Sequence, residues 1–305
     1  ISLQPRLRRL PPDERAAAKA ALRRHGEFMD LPADVALYWS DGARTLAYTP
    51  FAASPRLSST TFHDEFGNRV RRFVAPAGRT TIWSSGVAEV DGLADPVKPQ
   101  AREIAVQDLP DYALRYLTGS RYVDTDHLSQ FAWDTFGGVA PGWGRVQAIC
   151  DFVHAHLSFG YEHARATRTA HEAFAERRGV CRDFAHLAVA LCRCMNIPAR
   201  YANGYLGDIG VPADPAPMDF NAWFEVYLDH AWFTFDARHN RPRIGRLLVS
   251  RGRDAADIPM IHSFGPHVLV SFKVWTDEVS PAKPQDMKAD PARAANGGLL
   301  LRRPG

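Results

Sequence analysis

Four cysteines, Cys150, Cys181, Cys192 and Cys194, are the side chains of this sequence best suited to covalent chemistry. Only Cys181 has a setting that favours a reactive sulfur. It ends the loop Gly179-Val180-Cys181 and opens the run "CRDFAHLAVALCRCM", in which Phe184, Leu187, Ala188, Leu191 and Met195 form the apolar stripe of a helix. A cysteine in a first helical turn meets unpaired backbone N–H groups and the positive end of the helix dipole, and both favour a thiolate. The same N–H groups can hold the oxyanion that forms when sulfur attacks a carbonyl. Cys192 and Cys194 lie deep in the helix and lack this setting. An isolated cysteine beside a helix start is more often a small buried side chain, so a partner group has to decide. His186 on the same helix is poorly placed for that: five residues is a rotation of about 500° and a rise of roughly 7.5 Å. It reads as a structural histidine.

The partner is sought in a second stretch, "MDFNAWFEVYLDHAWFTFDARHN" (residues 218–240). A two-residue turn at Asp229-His230 pairs Leu228 with Ala231, Tyr227 with Trp232 and Trp223 with Asp236. Asn221 then faces Arg238, and Asp236 is its diagonal neighbour at about 7–8 Å, positioned to interact with it. His230-Ala231-Trp232 is the wrong end of this hairpin, about 20 Å from Asp236 at 3.3 Å per residue. His239 lies nearer the open end. His262 and His267, in "IPMIHSFGPH", are further imidazoles whose placement the sequence leaves open, and for all three a surface or structural role is the commoner one. No metal site is expected: His154 and His156 sit about 200° apart around one helix and cannot converge on an ion with His163. Gly204-Tyr205-Leu206-Gly207-Asp208 lacks the strand-to-helix context of a dinucleotide loop, so no cofactor is expected either.

The elements that must carry these residues are legible from periodicity. The segment "WGRVQAICDFVHAHLSF" places Val146, Ile149, Cys150, Val153 and Leu157 at helical steps. "RTAHEAFAERRG" reads as a helix ended by Gly179, and a third helix runs from about Cys181 to Met195. "ARYANGYL", "NAWFEVYL", "AWFTFDA" and "HVLVSFKVWT" read as strands. Helices followed by strands argue for an α+β core over residues 106–275. Ahead of it, residues 34–105 hold short β-prone runs broken by Asp-Gly, Gly-Asn and Pro-Ala-Gly turns, a small antiparallel β domain with Pro96 and Pro99 in its linker. Residues 1–33 form a helical extension, with a helix over 12–26, and the Pro/Ala/Gly-rich tail 276–305 reads as disordered.

Bulk properties bound the function. The net charge of +3 is too small to argue for a nucleic-acid or membrane partner, and the abundant arginines are scattered. No apolar run approaches the roughly 18 residues of a spanning helix. Four cysteines without paired spacing fit a reducing compartment, so a cytoplasmic location is the expectation.

Together, Gly179-Val180-Cys181-Arg182-Asp183, Ile197-Pro198-Ala199-Arg200, Gly204-Tyr205, Ala222-Trp223 and Asp236 resemble the transglutaminase-like superfamily of bacterial proteins over roughly residues 105–275. The β-rich part before it resembles the small N-terminal domain that often accompanies the family. The resemblance implies a papain-like cysteine-protease fold with a Cys-His-Asp triad, performing amide hydrolysis or acyl transfer without a metal. In that pattern Cys181 is the nucleophile and Asp236 orients the base. The family's histidine should stand immediately before Ala222-Trp223, and here Asn221 does. An amide can donate and accept hydrogen bonds but takes up no proton near neutral pH. Loss of general acid–base help costs typically about 10²–10⁴ in rate.

Three functions follow. The chain is a thiol enzyme acting on peptide or isopeptide amides through a Cys181 thioester, with a substitute base or an ordered water. Alternatively it is a catalytically impaired member that binds a peptide or protein in the cleft beside Cys181. The third is a redox-responsive protein using an activated Cys181. The retained Cys181 and Asp236 favour the first.

Overall fold

The computed structural model describes residues 44–89, 92–214, 216, 218–278 and 299–302. The helix expected over 12–26 and most of the expected disordered tail lie outside these residues. The chain divides into two compact units: Leu93–Gly210 with Phe220–His262, and Ile1–Gly92 with Val211–Asp219 and Ser263–Gly305. Residues 93–105 thus group with the helical core, and residues 263–275 with the β-rich unit.

In the β-rich unit, β1 (Arg44–Ser54) and β4 (Arg79–Glu89) pair antiparallel. Between them β2 (Ser59–His63) and β3 (Arg69–Phe73) form a separate ribbon. Its turn is organised by Asp64, whose carboxylate accepts from the Phe66 and Asn68 amides, and by Gly67 at φ +81°. Within the expected disordered tail, Leu299–Arg302 is a strand, pairing with β4 and with Val268–Ser271. The run "LLLR" is β-prone enough to pair once an edge is offered.

The larger unit is built on one helix. After α1 (Asp111–Leu114), α2 (Ser129–Phe136) and α3 (Trp143–His156), the two-residue strand β5 (Ser158–Phe159) leads to α4 (Ala170–Glu176). Helix α4 is opened by Thr169, whose hydroxyl accepts the Glu172 amide while Glu172 accepts the Thr169 amide, a reciprocal cap. It ends earlier than the sequence predicts. Arg177 turns left-handed at φ +55°, which frees β6 (Arg178–Gly179) to pair in parallel with β5. The chain then enters α5 (Cys181–Cys194), in which every residue from Asp183 to Cys194 is buried.

The sheet against which α5 packs has the antiparallel order β10 (Leu247–Gly252), β7 (Ala199–Tyr205), β8 (Asn221–Leu228), β9 (Ala231–Phe235). Phe224, Val226 and Leu228 of β8 join Leu187, Ala188 and Leu191 of α5 in the main core. The alternate residues of β8 pack elsewhere, Trp223 with Ala202 and Leu248, as the period of a strand requires. The β8–β9 turn falls at Asp229-His230, both with positive φ (+46° and +63°), as a two-residue primed turn demands. Gly204 lies opposite Asn221, and a Cβ there would run into the Leu247 backbone of β10. Arg193, buried near the end of α5, spreads its guanidinium over the Ala199, Thr118 and Arg253 carbonyls, and burial draws its pKa down to about 10. It clips the helix to the start of β7 and to two loops.

Candidate active site

The thiol comes first. Gly179 and Val180 are extended, and Cys181 is the first residue of α5. The start is fixed by Asp183, whose carboxylate accepts the Val180 amide at 2.9 Å and pairs with Arg168 at 3.0 Å. All four cysteines are thiols, and only Cys181 is partly exposed. Burial raises Cys194 to about 11 and also lifts Cys150 and Cys192 well above the ordinary thiol value, which makes all three poor nucleophiles. The Cys181 sulfur lies 3.8 Å from the Phe220 carbonyl oxygen, directly before Asn221. It packs against the cluster of Ala185, Tyr201, Ala222 and Ile258.

The hairpin's open end carries Asn221, and Arg238 reaches across to it: Arg238 Nη1 donates to Asn221 Oδ1 at 3.0 Å. The same guanidinium stacks on the Phe159 ring, 3.8 Å from its centroid. Phe159 is the β5 residue paired with Gly179, two positions before Cys181. Arg238 and Cys181 therefore stand between the same two segments, the start of β8 and the β5–β6 bridge. Asn221 also donates weakly to the Leu206 carbonyl at 3.4 Å.

Asp236 does not hydrogen-bond Asn221. Its Oδ1 accepts the Arg238 and His239 amides, each at 3.0 Å, and its Oδ2 accepts His239 Nδ1 at 2.9 Å and Arg246 Nη2 at 2.8 Å. Burial alone would raise its pKa, but Arg246 and His239 outweigh it and hold the carboxyl well below the usual range. Arg246 is itself buried, pairs with Asp95 at 2.9 Å and lies over the Trp223 ring. A cleft of about 150 Å³ opens beside Asp236, with Trp143, Cys150, Phe235 and Pro242 in its wall.

The structure thus gathers Cys181, Asn221 and Asp236 around one hairpin mouth, where Arg238 bonds Asn221 through its guanidinium and Asp236 through its backbone amide. Of the imidazoles considered, His239 is held by Asp236, while His262 and His267 are exposed. His230 sits in the far turn. His186 is fully buried, stacked on Tyr122 and accepting the Ala255 amide, a structural residue as its helical position implies. His154 turns to the Ala237 and Arg238 carbonyls and His156 to that of Phe174, and among the described residues no group of metal-ligating side chains converges. Sequence reasoning missed Arg238, although its register opposite Asn221 was readable. Arg246 and Asp95 gave no local signal, because their pairing joins segments far apart in the chain.

A helix-borne thiol facing an antiparallel sheet in an α+β unit defines a papain-like, thiol-type architecture. The comparisons agree. A profile of the Transglutaminase-like superfamily matches residues 129–237. An uncharacterised protein of Mycobacterium leprae is 32% identical over 228 residues, covering 72% of this chain and 80% of the relative. An uncharacterised protein of Mycobacterium tuberculosis is 26% identical over 144 residues, covering 44% of this chain and 46% of its own length, so the match spans about half of that relative. Among solved structures, a candidate cysteine protease from Cytophaga hutchinsonii superposes with a TM-score of 0.64 at 29% identity, covering 74% of this chain and 76% of that one. The chain belongs to the transglutaminase-like superfamily, with the family's papain-like core and a small antiparallel β-sheet preceding it.

Proposed function

We propose that this protein is a thiol enzyme acting on peptide or isopeptide amides of protein or peptide substrates, by hydrolysis or acyl transfer through a thioester on Cys181. The observation that carries the reading is the placement of Cys181: the one partly exposed thiol, in the first turn of a buried helix, beside the mouth of the β8–β9 hairpin. Sulfur adds to the amide carbonyl, and the oxyanion is received at the start of α5 by the Cys181 and Arg182 amides, since those of Asp183 and Phe184 donate to the Val180 carbonyl. The C–N bond breaks and the amine departs with a proton. Water or a second amine then cleaves the thioester and restores the thiol. Asn221 replaces the family's imidazole, so proton delivery falls to water held by its amide or to His239, which Asp236 orients. Transglutaminase-like membership supports the substrate class, and four thiols support a reducing, cytoplasmic setting.

The test is trapping. Full-length protein is incubated with a peptide mixture and hydroxylamine, and peptide hydroxamates are read by mass spectrometry. Hydroxamates from the wild type and none from Cys181→Ser are expected; none from either overturns the reading. A second reading, a peptide-binding module on the same fold, is favoured by the Arg238–Asn221 bond, which fills the base position with groups that shuttle no proton. Retained peptide binding without hydroxamate would establish it.

A further inference from the structure

We infer that Arg238 is the counter-cation of Cys181, a positioning residue that holds the sulfur as a thiolate without a histidine. The inference rests on Cys181 being the reactive thiol of the preceding reading, but it needs no turnover.

Geometry places the cation. The guanidinium bonds the side chain of Asn221 and stacks on Phe159, while the sulfur touches the carbonyl of Phe220 and follows Gly179, the partner of Phe159. On one flank the two groups are held by adjacent residues, Phe220 and Asn221, and on the other only Val180 lies between Gly179 and Cys181. Charge accounting then singles Arg238 out. Its side chain meets a neutral amide and a ring, and among the described residues it makes no ion pair with a carboxylate. Other charged groups described around the start of α5 have partners of their own. Asp183 holds Arg168 and Arg182, and Glu172 and Glu176 of α4 hold Arg165, Arg168 and, at 3.7 Å, Arg178. His163 faces Glu162, Asp254 accepts the Tyr122 and Ala256 amides, and Asp236 holds His239 and Arg246. Tyr201 of β7 is kept a neutral phenol by burial and by the neighbouring sulfur, and burial keeps His186 neutral. Against the thiolate stands the Phe220 carbonyl, which accepts a weak S–H contact; an unneutralised guanidinium outweighs one such dipole. An arginine cannot be deprotonated in this pH range, so the device supplies charge and no proton transfer.

The experiment is iodoacetamide alkylation of the folded full-length chain across pH, with Cys181 read by peptide mass spectrometry. Wild-type Cys181 should react at pH 7 at least about tenfold faster than in Arg238→Met, the effect of one partly screened charge at close range. Arg238→Lys, which keeps the charge and loses the fork, should stay within about threefold of wild type. The wild-type profile should show one titration, without the second step near pH 6–7 that an imidazole partner introduces. Equal rates in wild type and Arg238→Met overturn the inference, as does an Arg238→Lys rate as low as that of Arg238→Met, since packing rather than charge would then explain the loss. An Arg238-dependent reactive thiol that yields no hydroxamate would remove the acyl-transfer reading and leave this one standing.

Discussion

Restoring a histidine at position 221 tests the site most severely, because the structure dictates that the single change is handicapped. Arg238 Nη1 lies 3.0 Å from Asn221 Oδ1, so an imidazole at 221 would sit against a guanidinium. Taking about 5 Å between charge centres and an effective dielectric constant of about 20, the repulsion of an imidazolium is about 3 kcal/mol, or about two pH units. Arg238 is half-buried, and solvent screening leaves roughly half of that. A base whose conjugate acid is destabilised by at least about one unit recovers little of the about 10²–10⁴ that general acid–base help supplies. Asn221→His alone should therefore raise amide hydrolysis only about tenfold. Asn221→His combined with Arg238→Gln should raise it about 10²-fold or more, because the imidazolium then takes over as the cation beside the sulfur. The assay is single-turnover cleavage of a fluorogenic peptide amide by each single variant, the double variant and wild type, with folding checked by circular dichroism. A double variant no faster than wild type, though folded and alkylatable at Cys181, would refute the placement of position 221 beside the thiol.

Two further outcomes concern stability. Asp236→Asn leaves Arg246 buried with Asp95 as its remaining carboxylate partner, and should cost about 3–5 kcal/mol in urea denaturation. Because the folded carboxyl of Asp236 is depressed, its contribution is fully present above the unfolded value of about 3.9 and is lost as pH falls below that, so the Asp236→Asn difference should shrink only in strong acid. His186 is held neutral by burial and by Arg182 and Arg193, while the unfolded chain binds a proton near pH 6.5. Its contribution is complete above that pH and erodes below it. Thermal scans from pH 7 to 5 should show a steeper fall for wild type than for His186→Gln, which keeps an acceptor for the Ala255 amide.

What the sequence determined by itself were the features governed by neighbours in the chain. The start of α5 at Cys181 follows from an apolar stripe after a glycine, and the β8–β9 register follows from the turn at Asp229-His230. That register already set Arg238 opposite Asn221. The ends of elements were less legible: α4 stops at Glu176 because Arg178–Gly179 pairs with β5, a contact periodicity does not encode. Only the tertiary structure decided how the charges are partnered. Asp236 is taken by His239 and by Arg246, itself tied to Asp95 at the far end of the unit's sequence, and Arg238 is turned onto Phe159. The physical reason is range. Backbone propensities act over a few residues and leave their pattern in the sequence, whereas a buried charge binds whichever opposite group the packed fold brings within about 3 Å, and that proximity exists only after the helices and sheet have closed.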